Sequence, residues 1–95
     1  MRKLRELKVW PEYFWLLQAG IKTFEVRALP PEEPEFEVGE VIILEEYEPA
    51  REVKTGNTHL VRVTYILKLA DSDEYFTLPF PKRGHPVYCL GVRPL

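Results

Sequence analysis

The order of elements in this 95-residue chain is set by the stretch Gly20-Ile21-Lys22-Thr23-Phe24-Glu25-Val26-Arg27. A glycine at the end of an apolar periodic segment predicts the end of a helix, because glycine adopts the left-handed conformation without a steric penalty. Residues 22–27 then alternate between the two faces of a predicted strand, with Glu25 and Arg27 on the same face. A helix–strand junction therefore brings several ionisable groups to one place.

The residues before this junction predict a strand followed by a helix. The strand is expected over Leu4–Trp10, and the helix, of about nine residues, begins at Pro11 and ends at the glycine. Proline at the first helical position costs no hydrogen bond, since its missing N–H would have had no partner in the helix. Tyr13, Leu16 and Leu17 recur at spacings of three and four, which predicts that they form the buried face.

The residues after the junction predict three more strands. The expected segments are strands over Val41–Tyr47, Leu60–Leu69 and Val87–Val92, a hairpin turn at Lys54–Asn57 and a loop over Asp71–Gly84. Alternation along the longest strand predicts one face made of Val61, Val63, Tyr65 and Leu67. Small sheets of five to six strands usually curl to hide their edges. We therefore expect a single α+β domain over residues 1–95, an open β-barrel of mixed, mostly antiparallel strands with one main helix after the first strand.

The charge pattern restricts the partners that this chain can bind. Its formal net charge is −2 and its isoelectric point about 5.7, which argues against a protein that coats nucleic acid without specificity. The charge is uneven, because Arg2–Lys8 and Lys82–Arg93 are basic and Glu32–Glu52 is densely acidic. The basic ends form either a binding face or ordinary solvated edges.

Metal and disulfide chemistry have little support in the sequence. The chain has one cysteine, Cys89, which excludes an intramolecular disulfide and, lying in an apolar stretch, is expected to be a core thiol. His59 and His85 do not have the spacing of metal ligands. We expect neither a metal nor a cofactor.

The sequence gives weaker indications of the cellular compartment and of the growth temperature of the source. The apolar runs fall far short of the roughly 20 residues of a membrane span, and no apolar signal-peptide region follows the basic start. We therefore expect a cytoplasmic protein that is not associated with membranes. One Asn and one Gln stand against thirteen Glu and nine Pro, a composition similar to that of proteins from hot environments.

Three side chains of the junction form a candidate site. Lys22 supplies a point charge, Arg27 a planar fork of donors, and Glu25 an acceptor that also orients the two cations. Such a group can hold an anion or a polar ring. The alternative is that Glu25 and Arg27 only pair with each other on a partly exposed strand.

The segment Gly-x-Lys-Thr-x-Glu-x-Arg resembles the signature of ASCH domains, which belong to the PUA-like superfamily. The whole chain is more similar still to one uncharacterised branch, the DUF3850 family. The segments that carry this similarity are Leu7–Phe14, Gly20–Arg27, Val38–Glu40, Leu44–Pro49, Lys54–Gly56, Val63–Leu67 and Leu90–Val92. They follow one another in the order of the family pattern. The chain departs from the pattern at Arg5, where the family often has a histidine, and in the long acidic loop Ala28–Glu37.

The resemblance implies an RNA-binding or nucleotide-binding function. PUA-like domains mostly bind RNA or modified nucleobases in a cleft beside the barrel, and by that implication Lys22, Thr23, Glu25 and Arg27 line the cleft. Aromatic rings stack on bases, which have a π-face whatever their identity. The aromatic candidates for stacking are Trp10, Tyr47 and Tyr65.

Two other functions remain open at this point. One ASCH branch hydrolyses the amide of acetylated cytidine with a lysine, a threonine and a glutamate, which makes Lys22 and Glu25 the candidate catalytic residues here. In this chain Glu25 occupies the position of the catalytic threonine, and no clear equivalent of that glutamate is found. The other function is a protein-interaction module that uses the acidic loop, and this loop would repel a phosphate backbone.

Overall fold

Five strands and one helix make up the part of the chain that the computed structural model describes, residues 3–71 and 85–95. The elements are β1 (Arg5–Val9), α1 (Pro11–Gln18), β2 (Phe24–Ala28), β3 (Val41–Glu48), β4 (Val53–Ala70) and β5 (Val87–Pro94). This is the predicted order. Beyond Asp71, the predicted loop over Asp71–Gly84 lies outside the described residues. The helix of the described part is too short and too polar to cross a membrane.

The strands form one mixed sheet in the order β1-β3-β4-β5-β2. Only β1 and β3 pair in parallel, and the other three pairs are antiparallel. The sheet curls into a half-barrel. Its two edge strands are joined by a side chain, because Nη2 of Arg27 on β2 donates a hydrogen bond to the carbonyl oxygen of Lys8 on β1. The expectation of an open α+β barrel with one main helix is confirmed.

The helix covers the concave, inner face of the sheet with a narrower stripe than predicted. Phe14 and Leu17 are fully buried, whereas Tyr13 and Leu16 are 41% and 39% exposed. The prediction of a Tyr13–Leu16–Leu17 face is therefore wrong in two positions. Both sets of residues fit a helical period, and contact with the sheet selects one of them. The inner-face core that α1 covers is Ile42, Leu44, Val61, Val63, Leu90 and Val92.

The predicted hairpin turn at Lys54–Asn57 is also wrong. The chain reverses at residues 49–52, where Glu52 has φ +52°, and residues 54–57 belong to β4. The strand pairing is irregular there, because three β4 residues, Thr55 to Asn57, stand opposite Glu46 alone. Gly56, at φ +95°, supplies the left-handed backbone that this bulge requires. Residues that commonly form a turn therefore form a β-bulge here.

A second irregularity divides β4 into two faces. Val61 and Val63 are buried, but Tyr65 and Leu67 are 62% and 48% exposed. The pairing with β5 shifts between Val63 and Tyr65, and one extra residue reverses the side to which the following side chains point. The single face predicted for this strand is therefore wrong beyond Val63. Cys89 pairs with Leu67 and is half-buried rather than part of the core.

Candidate functional site

The end of α1 fixes the position of Lys22. Gly20, at φ +75°, donates its N–H to the carbonyl of Leu17, and Ile21 donates to the carbonyl of Leu16. This is the double hydrogen bond of a Schellman cap, for which glycine is the usual residue. The N–H of Lys22 also donates to Leu16, at 3.1 Å, so Lys22 is tied to the helix end and precedes β2 rather than belonging to it.

Lys22, Glu25 and Arg27 form one ion cluster, which we call the junction cluster. Nζ of Lys22 lies 2.8 Å from Oε1 of Glu25, and Nε of Arg27 lies 2.9 Å from Oε2. The Glu25 side chain is 10% exposed, against 18% for Lys22 and 24% for Arg27. Glu25 pairs with Leu90 across the sheet, so its carboxylate points to the inner face. The carboxylate thus holds two cations at the junction of α1 and β2.

Among the described residues, the two cations of the junction cluster each retain a donor without a hydrogen-bond partner. Lys22 uses its ammonium for Glu25 and for the carbonyl oxygen of Phe24, at 2.7 Å, which leaves one of three N–H groups. Arg27 uses Nε and Nη2, and its Nη1 has no hydrogen-bond partner within residues 3–71 and 85–95. Glu25, by contrast, has both oxygens engaged. The cluster can therefore donate to an acceptor of a ligand, such as a phosphate or carbonyl oxygen.

Aromatic rings surround the ammonium of Lys22. Its Nζ lies 5.4 Å from the ring centre of Tyr13 and 4.6 Å from that of Phe24. Tyr13 in turn stacks on Trp10, with 6.2 Å between ring centres and 21° between ring planes. Trp10 caps the helix, and its carbonyl accepts the N–H of Phe14. Of the predicted aromatic residues, Trp10 thus adjoins the cluster through Tyr13.

The other predicted residues lie at different distances from the cluster. Tyr47 lies 4.8 Å, at its ring centre, from Nζ of Lys8, and it alternates along β3 with the buried Leu44 and Glu46, so it faces outward. Thr23 is exposed, and its carbonyl accepts the N–H of Val92. Tyr65 lies on the opposite, outer face of the sheet. The structure therefore brings together Lys22, Glu25, Arg27 and Trp10, but not Tyr47 or Tyr65.

A second polar cluster was not predicted. Glu46 is 5% exposed and accepts hydrogen bonds from Oγ1 of Thr55, at 2.6 Å, and from Nδ2 of Asn57, at 3.0 Å. These two hydrogen bonds, with a third from Trp15, keep the pKa of the Glu46 carboxyl below its ordinary value of 4.5. The only signal in the sequence was the pair of polar residues Thr55 and Asn57 on either side of Gly56, a pattern that also fits a turn.

The acidic loop is held by Arg5. Nε of Arg5 lies 2.8 Å from Glu40 and Nη1 lies 3.3 Å from Glu33, while the guanidinium covers the ring of Phe36 at 4.2 Å. Part of the acidic charge is therefore already paired. An open cavity of about 340 Å³ is lined by Lys3, Leu4, Arg5, Glu6, Glu33, Pro34 and Glu40. Its charged lining is mixed, and it lies at the opposite end of β1 from the junction cluster.

Neither histidine lies in a metal-binding group. Nε2 of His59 and Nδ1 of His85 are buried and have no hydrogen-bond partner among the described residues. No group of three or more His, Cys, Asp or Glu in that part of the chain is arranged to hold a metal ion.

Comparison with protein-family models gives a match. The family model described as "Domain of unknown function (DUF3850)" matches residues 4–80, which include the junction cluster and strands β1 to β4. A search of curated proteins finds no match to the chain. Since the matched segment covers most of the sequence, the chain belongs to the DUF3850 family.

Proposed function

We propose that this protein is a PUA-like domain of the ASCH type and that it binds RNA or a nucleotide-like ligand at the junction cluster. The observation that carries this proposal is the pair of cations that Glu25 orients, each with a free donor and with aromatic rings beside it. Lys22 and Arg27 donate to a phosphate or to a base oxygen, and Trp10 or Tyr13 stacks on a base.

Hydrolysis of an acylated nucleoside is the weaker alternative. A hydrolase needs a nucleophile within reach of a base. Both oxygens of Glu25 accept hydrogen bonds from cations, and Lys22 is bound to that carboxylate, so neither residue is placed to take a proton. Thr55 and Glu46 do form a hydroxyl–carboxylate pair, but the lowered pKa of Glu46 makes it a poor proton acceptor near neutral pH.

A protein-interaction module that uses the acidic loop has less support still. Arg5 binds the loop at Glu33 and at the carbonyls of Pro34 and Glu35, so this part of the loop serves the fold. Such a module would keep its partner after Lys22, Glu25 and Arg27 were changed together. The ligand-binding proposal requires the opposite outcome.

The proposal is tested by a thermal-shift screen of nucleosides, mononucleotides and short RNAs, followed by titration of each hit. A ligand at 100 times its Kd stabilises the folded state by about 2.7 kcal/mol and raises the melting temperature. We expect Lys22→Ala and Arg27→Ala to abolish the shift. Arg51→Ala is the matched control, because it also removes one cation but at a residue 72% exposed at the hairpin end.

The results of this screen test both the position of the site and the class of ligand. Binding that survives both cluster variants would refute the site, and an absence of any hit would refute the ligand class. Arg27→Lys keeps the charge but not the planar fork, so we expect it to weaken the binding of a phosphate or base edge. Each variant is first melted without ligand, which shows whether a lost shift reflects lost binding or lost folding.

A further inference from the structure

The outer face of the sheet has two exposed aromatic rings on either side of a glycine. Phe24 on β2 and Tyr65 on β4 both pair with Gly91 on β5, so the three residues form one row across the sheet. The two aromatic residues are 48% and 62% exposed. Two strand spacings put their backbones about 10 Å apart.

Gly91 is required by the packing beneath this row. A Cβ atom at this position would lie 2.9 Å from Oγ1 of Thr64 and 3.1 Å from Cβ of Tyr65. Both contacts result from the β4 irregularity, which turns Thr64 and Tyr65 to the same side. Because residue 91 has no side chain, Thr64 and Tyr65 can pack directly against the backbone of β5. The result is a face on which Phe24 and Tyr65 are both exposed.

Two arginines stand beside these aromatic residues on the same face. Arg62 and Arg93 are directly opposite each other on β4 and β5, and like charges in that position repel. Nη1 of Arg62 donates to the carbonyl of Gly39, at 2.8 Å, while Arg93 is exposed and forms no side-chain hydrogen bond or ion pair with the described residues. Arg93 is two residues from Gly91, about 7 Å along the strand. An anion between the two arginines would relieve their repulsion.

We propose that this arginine–aromatic face, made of Arg62, Arg93, Phe24 and Tyr65, binds single-stranded RNA. One base stacks on the exposed ring of Tyr65, and the neighbouring phosphate lies against the arginines. The outward-facing positions in the paired rows of β2, β5 and β4 that form this face carry no carboxylate. The positive charge of the two arginines is therefore not neutralised there, which suits a phosphate backbone. These positions are Phe24, Val26, Arg62, Tyr65, Leu67, Cys89, Gly91 and Arg93.

The inference rests on the proposed function and extends it. Nζ of Lys22 lies 4.6 Å from the ring centre of Phe24 and 2.8 Å from Glu25, so Lys22 connects the face to the junction cluster. A mononucleotide fills one of the two places, whereas an RNA strand of several nucleotides contacts both. The two sites should therefore respond differently to the length of the ligand.

The test measures the binding of fluorescein-labelled octamers of adenylate and of uridylate, together with AMP and UMP, to the full chain and its variants. We expect Tyr65→Ala to weaken octamer binding about fivefold or more, because base–aromatic stacking is lost. Tyr65→Phe should bind like the wild type. Arg93→Ala should reduce the slope of log K against log salt by about 0.7, the value for one phosphate of a single strand. Arg51→Ala is the charge-matched control and should leave the slope unchanged.

Each outcome decides between the two proposals. If octamers bind and Lys22→Ala weakens them while Tyr65→Ala and Arg93→Ala do not, the arginine–aromatic face is wrong and the junction cluster stands. If only mononucleotides bind, the face is again wrong. If Tyr65→Ala and Arg93→Ala weaken octamers while Lys22→Ala does not, the face is supported and the junction cluster is not. Thermal unfolding of Tyr65→Ala and Arg93→Ala must match that of the wild type, which their exposed positions lead us to expect.

Discussion

Removal of the Glu25 carboxylate should destabilise the fold far more than removal of an exposed one. Its side chain is 10% exposed and accepts charge-assisted hydrogen bonds of 2.8 and 2.9 Å. Each such bond contributes about 1.5–3 kcal/mol, and the partly exposed cations recover some of this by hydration after the change. We expect Glu25→Ala to lower the free energy of unfolding by about 2–4 kcal/mol. For a domain of this size that lowers the melting temperature by about 10–25 °C.

Urea-induced unfolding, followed by circular dichroism, measures this difference. Glu48→Ala is the matched control, since Glu48 pairs with Arg51 at 3.5 Å with side chains 38% and 72% exposed. An exposed ion pair of this kind contributes about 0–1 kcal/mol. If Glu25→Ala unfolds at the same urea concentration as Glu48→Ala, the cluster does not contribute to stability as reasoned here.

A double-mutant cycle isolates the interaction within the cluster. Glu25→Ala and Lys22→Ala should be non-additive, with a coupling of about 1–2 kcal/mol, because each change removes the same ion pair. Glu25→Gln keeps the shape but must direct its amide NH₂ at one of the cations, so we expect it to lose most of the same stability. Additive effects in the cycle would mean that the 2.8 Å contact contributes nothing to stability.

Three further predictions concern the rest of the fold. Because the pKa of Glu46 is lowered in the folded state, the unfolded chain binds more protons below pH 4.5, and stability falls with pH there. In thermal melts from pH 7 to pH 3, the melting temperature of Glu46→Gln should therefore fall less than that of the wild type. Gly91→Ala should lower the free energy of unfolding by about 1–3 kcal/mol, because its Cβ contacts Oγ1 of Thr64. Adding Thr64→Ala should recover part of this loss in urea unfolding, and no recovery would mean that the strain lies elsewhere. Leu17→Ala, at a fully buried position, should cost about 2–5 kcal/mol, whereas Leu16→Ala, at a position 39% exposed, should cost less than about 1; equal losses would contradict the observed helix face.

The element order and the junction cluster could be predicted from the sequence because their causes are local. Proline at the helix start, glycine at its end and the alternation of residues 22–27 act over a few residues, and the structure has the helix and strand there. The parity of a strand likewise put Glu25 and Arg27 on one face, and the structure joins them at 2.9 Å. The resemblance to the DUF3850 family also rested on short segments of the sequence, and the family match over residues 4–80 confirms it.

The pairing of Lys54–Asn57 and the face of Tyr65 could not be predicted, because both depend on contacts between strands. The residues around Gly56 suit a turn and a bulge equally, and the burial of Glu46 opposite them selects the bulge. Tyr65 faces outward because one extra residue in β4 shifts its register against β5.

The sequence by itself thus determined where the helix begins, the order of helix and strands, and which charged side chains share a strand face, since those features follow from backbone geometry and side-chain period. Only the tertiary structure decided that Glu25 is buried between two cations and that Phe24, Gly91 and Tyr65 form one row. Three strands far apart in the chain meet there, and the hydrogen bonds between them set a register that no short segment contains.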